Sequence, residues 1–227
     1  MAADYSQIEL RIIAALSKDE SMMEAFNNNE DIHKSTASKV FNVNINDVTN
    51  EQRNNAKTVN FGIIYGVSAF GLSQQTDLNR NEAKTLINTY YSSYPKLNDF
   101  INSQINFARD NGFVETILGR RRYLRNINSQ NSIVRSASER NAVNAPIQGS
   151  AADIIKLAMI NIQDAIEKEK LKSKMLLQVH DELVFDVHKN ELKLLKSIVK
   201  KEMENAYKLD VPLIVDIGIG NNWMKAH

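Results

Sequence analysis

The stretch MLLQVHDELVFDV, residues 175–187, sets two apolar runs, Met175–Val179 and Leu183–Val187, on either side of His180, Asp181 and Glu182. Short apolar runs flanking a polar tip read as a tight β-hairpin between two buried strands, with two carboxylates at the turn. Adjacent carboxylates in that setting repel each other and are poorly solvated, a cost that a bound divalent cation relieves. A solvated acidic turn is the plainer reading of the tripeptide alone. The chain has no cysteine, so any metal must be held by oxygen or imidazole, and aspartate oxygens favour Mg²⁺ or Mn²⁺ over zinc.

Outward from the hairpin the chain is mostly helical. A helix is expected over Glu191–Tyr207, then a closing strand over Val211–Ile219. On the N-terminal side, Ile147–Glu169 and Ile133–Asn144 read as two amphipathic helices, because Pro146 between them removes a backbone donor. Phe113–Leu118 and Tyr123–Leu124 form a second, basic hairpin around Gly119. Before it, apolar periodicity predicts helices over Pro95–Asp110, Asn81–Tyr91, Thr49–Ile64 and Ile32–Phe41, with Asp31 as an N-cap and Thr49 and Gln52 as a capping box. Asp19 or Ser21 can cap a helix through Phe26, and Ile8–Leu16 carry another apolar face behind a short extended start. A helical block followed by helix, hairpin, helix and strand is α+β with an antiparallel sheet.

The 227 residues allow one domain or two lobes sharing a sheet. Cysteine-dependent catalysis and disulfide scaffolds are excluded, and no apolar run approaches the ~20 residues needed to span a bilayer. No membrane partner is expected, and without a secretory signal pattern at the start the expected location is cytoplasmic. The net charge is only +1, but seven of the ten arginines lie between Arg109 and Arg140, among three acidic residues. A local positive surface follows.

Three features carry chemistry. Arg53, Lys57, Phe61 and Tyr65 recur every four residues on the Thr49–Ile64 helix and make one slowly drifting stripe. Two cations followed by two rings suit a triphosphate at one end and a base or sugar at the other. An ordinary amphipathic helix with buried rings and snorkelling cations has the same spacing. Asp4 precedes the first helix, where an N-cap is the commonest role of an aspartate. Residues 119–123, GRRRY, form a basic turn with an aromatic, and Arg140, Asn144 and Gln148 are types that can hydrogen-bond to base edges. His33 and His180 have no partner at metal spacing.

Taken in order, residues 4–11 (DYSQIELR), the stripe from Arg53 through Lys57 and Phe61 to Tyr65 and Gly66, and residues 179–182 (VHDE) resemble motifs A, B and C of the family A DNA polymerases. Residues 31–33 (DIH), 119–123 and 146–153 (PIQGSAAD) resemble the same family, and the likeness runs from residue 4 to about residue 224. It implies a right-hand polymerase with a palm at 1–9 and 151–227 and helical fingers at 10–150. It further implies that Asp4 and Asp181 hold two Mg²⁺ ions, Mn²⁺ being a possible substitute, with the Tyr5 carbonyl as a further ligand and Glu182 as an auxiliary carboxylate. Two such ions promote attack of a primer 3′-hydroxyl on a dNTP and neutralise the leaving pyrophosphate.

The resemblance assigns triphosphate contacts to Arg53, Lys57 and His33, with Lys57 also protonating pyrophosphate. Phe61 packs on the incoming nucleotide and Tyr65 abuts the templating position. Gln7 joins the nucleotide contacts, and Glu9 is the gate that disfavours ribonucleotides. Phe61 in place of tyrosine implies poor use of dideoxynucleotides. Arg140, Asn144, Gln148 and His180 match residues used on primer-template DNA near the minor groove, and Arg122 one that meets the template backbone. Arg125 departs from the proline common at that place. The family's thumb, the remainder of its palm and any exonuclease domain have no counterpart here, so the expectation is a polymerase fragment with weak, salt-sensitive DNA binding and low turnover. A metal-dependent nuclease and a non-catalytic nucleic-acid-binding fragment are the alternatives. A single-subunit RNA polymerase fits less well because Glu9 suits a deoxynucleotide gate.

Overall fold

A computed structural model describes residues 1–227, the side chain of Ile64 excepted. The chain divides into two units, residues 1–11 with 150–227, and residues 12–149.

The first unit is built on a four-stranded antiparallel sheet. Its strands are β1 (Ala2–Tyr5), β4 (Lys174–Val179), β5 (Glu182–Asp186) and β6 (Val215–Gly218), in the order β4-β5-β1-β6. The hairpin forms where the sequence predicts it, with Val179 opposite Glu182 across the turn. His180 takes the left-handed conformation that a two-residue turn requires (φ 54°). Only one of its strands is buried. β5 lies inside the sheet, whereas β4 is an edge whose register shifts between Met175 and Leu177, leaving Leu176 58% and Leu177 44% exposed. An apolar run alone does not reveal which of two paired strands gains a second neighbour.

Helix α9 (Leu192–Glu204) buries Leu195, Val199 and Met203, one residue every four, and packs on β1 and β6. Each such burial stabilises by about 1.5–3 kcal/mol. Tyr5, 1% exposed, donates its hydroxyl to the Met203 carbonyl at 2.7 Å, which ties β1 to the end of α9. The closing strand is shorter than expected, and a helical turn, α10 (Trp223–Ala226), follows it.

A Cβ built on Gly218 would stand 1.8 Å from the Ala226 carbonyl oxygen. Gly218→Ala must therefore displace α10, and should cost about 1–3 kcal/mol and shift the emission of Trp223, the one tryptophan, to the red. Unchanged emission would show that this close approach is dispensable.

The second unit contains α2 (Glu20–Asn27), α3 (Ile32–Phe41), α4 (Asn50–Ile64), α5 (Ala69–Ser73), α6 (Arg80–Ser93) and α7 (Pro95–Asn111), with the hairpin β2 (Phe113–Glu115) and β3 (Arg121–Tyr123). The predicted caps form. Asp19 and Asp31 accept from the first turns of α2 and α3, and Thr49 and Gln52 make a reciprocal capping box on α4. Pro95 occupies the first turn of α7, whose end at Gly112 is left-handed (φ 76°). Beneath the basic hairpin, Ala108, Val114, Leu124, Ile127 and Ala142 form a small core.

Helices α1 (Ile8–Ser17) and α8 (Ser132–Lys168) contribute residues to both units. The expected break at Pro146 is absent, and α8 is a single helix with the proline inside it. Ala142, Val143, Pro146 and Ile147 are all buried there, and the packing outweighs the roughly 3 kcal/mol that an interior proline costs. Asp4 is not a helix cap either: it lies on β1, and α1 starts at Ile8.

Candidate active site

Asp4 sits in the middle of the sheet, opposite Glu182 on β5 and Asp216 on β6. Directly opposed residues of antiparallel strands project from the same face, so these three carboxylates form one row across it. Asp181 follows in the turn, and its carbonyl accepts from the Tyr5 N–H at 3.2 Å. The crowding has an electrostatic signature. Burial, then Asp181, then Glu182 push the Asp4 carboxyl up to about 6, with Asp216 adding and His227 opposing. Asp4 Oδ1 is buried without a hydrogen-bond partner, an arrangement that normally costs 1–3 kcal/mol or more.

Glu182 differs. It is 4% exposed, and both its oxygens are held from α10 and the residue beyond: Trp223 Nε1 donates to Oε1 at 2.5 Å, and His227 Nδ1 lies 2.6 Å from Oε2. Sequence spacing gives no sign of this clamp, whose members are 41 and 45 residues away. Asp216 was also outside the predicted set; an aspartate inside an apolar strand is the signal that could have found it.

A divalent cation fits this donor set. Asp4 offers an unpaired buried oxygen, the neighbouring charges are negative, and every donor is a hard oxygen. Among the described residues no three His, Asp or Glu side chains are arranged to hold an ion alone. Remaining ligands would come from a backbone carbonyl, water or a bound anion. Gln7 and Glu9, both half-buried, lie just past β1; Gln7 has φ 55°, and Arg11 holds that turn through Nε to the Ser6 carbonyl at 2.8 Å. His180 is exposed beside Asp181.

In the second unit, α4 presents the predicted stripe. Lys57 is exposed, and Lys57, Phe61 and Tyr65 line an open cleft of ≈ 450 Å³ with Thr58, Gly62, Val67 and Gln75. Arg53 is tied instead to Asp31, Nε to Oδ2 at 2.8 Å, while Asp31 Oδ1 caps α3 by accepting from the His33 and Lys34 N–H groups. One aspartate thus fixes both the start of α3 and the guanidinium on α4. Its carboxyl is held below the usual range by Arg53 and these backbone donors, against the effect of its burial.

His33 is 2% exposed, with its ring centroid 5.8 Å from that of Phe61. Its Nδ1 lies 3.0 Å from Asn60 Nδ2. Burial first, then the Arg53 and Lys57 charges, lower its pKa to about 4 despite the attraction of Asp31. Of the predicted nucleic-acid contacts, Arg122, Arg140 and Gln148 are exposed, whereas Asn144 is half-buried on α8 with its Oδ1 unpartnered. Arg122 and Gln148 line one groove with Arg120 and Arg121. The stem of Arg140 lies on Gly66, whose Cβ would fall 2.7 Å from Arg140 Cγ.

Known proteins place this arrangement. Residues 1–225 match the family model described as DNA polymerase family A. The DNA polymerase I of Caldicellulosiruptor bescii is 52% identical over 221 residues, covering 97% of this chain and 26% of that protein. That of Borreliella burgdorferi is 49% identical over 227 residues, covering 100% and 25%. The chain therefore spans about a quarter of the length of these curated relatives. Among solved structures, the POL domain of Pol1 from M. smegmatis, in complex with DNA primer-template and dNTP, superposes with a TM-score of 0.95 at 49% identity, over 99% of this chain and 40% of that one. It shares the mixture of helices and antiparallel sheet. No helix among the described residues is long and apolar enough to cross a membrane. The match to the family model leaves neither the carboxylate row nor the stripe on α4 outside it, and the chain belongs to DNA polymerase family A.

Proposed function

We propose that this chain carries the nucleotidyl-transfer site of a DNA-templated DNA polymerase, its first unit serving as palm and its second as fingers. The observation that carries the reading is the unpaired, buried Asp4 Oδ1 in a row of carboxylates beside Asp181, within a family A chain. Asp4, Asp181 and the Tyr5 carbonyl would hold two Mg²⁺ ions, for which Mn²⁺ can substitute. When bound, such ions supply Lewis acidity toward the phosphoryl oxygens and lower the pKa of the attacking hydroxyl.

The remaining chemistry belongs to the chain's own residues. Lys57 and Arg53 bind the triphosphate of the dNTP, and the Asp31 contact keeps the Arg53 guanidinium from wandering while no phosphate is present. His33 reaches the same phosphates, and Lys57 stands to give a proton to the departing pyrophosphate. Phe61 supports the nucleotide and Tyr65 the templating position. Gln7 and Glu9 face the sugar, where Glu9 excludes a 2′-hydroxyl by its bulk. Glu182, clamped by Trp223 and His227, adds negative charge beside Asp4 rather than a free ligand oxygen. Arg122, Arg140, Asn144, Gln148 and His180 contact the primer-template. Taken alone, the 227 residues perform this step weakly, since binding rests on few phosphate contacts and falls steeply with salt.

The test is single-nucleotide extension of a primed template by these 227 residues, with Mg²⁺ and one dNTP at low salt. Addition of only the complementary nucleotide, lost without Mg²⁺ and in Asp181→Ala, is the expected result. Shortening of the primer would favour a nuclease instead, and duplex binding with no metal-dependent addition would favour a non-catalytic fragment.

A further inference from the structure

We propose that Asn60 is a positioning residue that locks His33 in the tautomer carrying its proton on Nε2, as the last link of a hydrogen-bond relay running Tyr94 to Thr36 to Asn60 to His33. The inference rests on the reading above, in which His33 meets the phosphates of the nucleotide.

The relay lies within the second unit and is dry. Tyr94, Thr36 and Asn60 are each 0% exposed and His33 is 2% exposed. Thr36 Oγ1 donates to Asn60 Oδ1 at 3.1 Å, Thr36 Oγ1 and the Tyr94 hydroxyl are 3.0 Å apart, and Asn60 Nδ2 is 3.0 Å from His33 Nδ1. A hydroxyl has one proton and an amide one donor end, so these three contacts are not independent. The proton of Thr36 is used on Asn60, hence Tyr94 donates to Thr36. The amide oxygen of Asn60 is occupied by Thr36, hence its NH₂ faces His33. Nδ1 must then accept, and in a neutral imidazole the proton sits on Nε2.

The opposite polarity would put the proton on Nδ1 and turn the Asn60 amide over so that it donates to Thr36, leaving either the Thr36 or the Tyr94 hydroxyl proton without an acceptor among these contacts. The first direction gives both hydroxyl protons of the relay an acceptor, and the second strands one of them. Stranding a buried hydroxyl proton is costly, and within the relay this favours the direction that leaves Nδ1 as the acceptor.

The polarity matters because a phosphate oxygen only accepts. A neutral imidazole with the proton on Nδ1 would turn a lone pair toward it, whereas the Nε2–H form donates a hydrogen bond and needs no proton from solution. Asp31 sets where α3 begins and so where His33 stands, and Asn60, on the neighbouring helix beside Phe61, sets which ring nitrogen is the donor.

The deciding measurement is ¹⁵N NMR of the histidine-labelled 227-residue chain at neutral pH, with His33 assigned by its absence from His33→Gln. The native chain should show Nδ1 unprotonated and Nε2 protonated. In Asn60→Asp, where a carboxylate can only accept, Nδ1 should carry a proton. In Thr36→Val, near in volume but without a donor, the two neutral tautomers should mix. Nδ1 protonated in the native chain overturns the proposal, and needs no variant to fold. So does an unmixed Nε2–H form in Thr36→Val. Titration with Mg·dATP should shift Nε2, with affinity about twofold weaker in Thr36→Val, the loss expected when only about half of the population carries the donor on Nε2. A native chain with the expected tautomer whose Nε2 ignores dATP would refute the phosphate assignment and leave the relay standing.

Discussion

Asp4→Asn is expected to move two measurements in opposite directions. Templated nucleotide addition should fall by roughly 10²–10⁴-fold, the several kcal/mol that a properly held cation contributes to a phosphoryl-transfer transition state. The metal-free chain should become more stable at pH 7.5. The native carboxylate stands among Asp181, Glu182 and Asp216, partly buried, and its pKa is raised to about 6. Ionising it at neutral pH therefore costs folding free energy that an isosteric amide does not. Discounted for the solvent that reaches a half-buried group, the gain is on the order of 1–2 kcal/mol, or a few degrees in Tm for a chain of this size. Mg²⁺ should raise the Tm of the native chain and leave Asp4→Asn nearly unmoved. Loss of activity with a lowered Tm would mean that Asp4 is a structural residue, and unchanged activity would remove it from the site.

How far such a site can be read from sequence depends on the distance over which each contact acts. The Thr49 and Gln52 capping box, the Asp31 cap and the hairpin around Asp181 were legible because their partners lie within a few residues. Arg53, Lys57, Phe61 and Tyr65 were legible as a stripe because helical geometry alone puts them on one face. The Asp31 bridge to Arg53 was not, because capping already accounts for an aspartate before a helix. Nor was the pairing of His33 with Asn60, 27 residues apart, which needs the packing of α3 on α4. Glu182 was visible as an acidic residue, but the Trp223 and His227 clamp that occupies its oxygens depends on where α10 docks. The error at Pro146 has the same origin: backbone chemistry predicts a break, and buried neighbours on either side of the proline hold the helix together.

Acid should unfold the native chain earlier than it unfolds His33→Gln. His33 has an ordinary pKa near 6.5 in the unfolded chain, and about 4 in the folded one. Between these values the unfolded state binds a proton that the native state refuses, so native stability is complete above pH 6.5 and drains away as pH falls toward 4. The linkage amounts to about 3 kcal/mol when fully expressed. Burial is the first cause, the Arg53 and Lys57 charges add to it, and Asp31 opposes. The hydrogen bonds point the same way, since a proton arriving at Nδ1 meets the NH₂ of Asn60 and can stay only if that amide turns over against Thr36. His33→Gln removes the titrating ring, and its side-chain oxygen can still accept from Asn60. Urea midpoints at pH 7 and pH 4.5 should therefore converge in the variant relative to the native chain, by about 2–3 kcal/mol in unfolding free energy. Asp4 contributes the opposite slope over the same range, gaining stability as it takes up its proton, but it is common to both chains and cancels in the comparison. Equal acid sensitivity in the two chains would show that the imidazole titrates normally in the fold, and a buried, neutral, donor-accepting His33 would have to be given up.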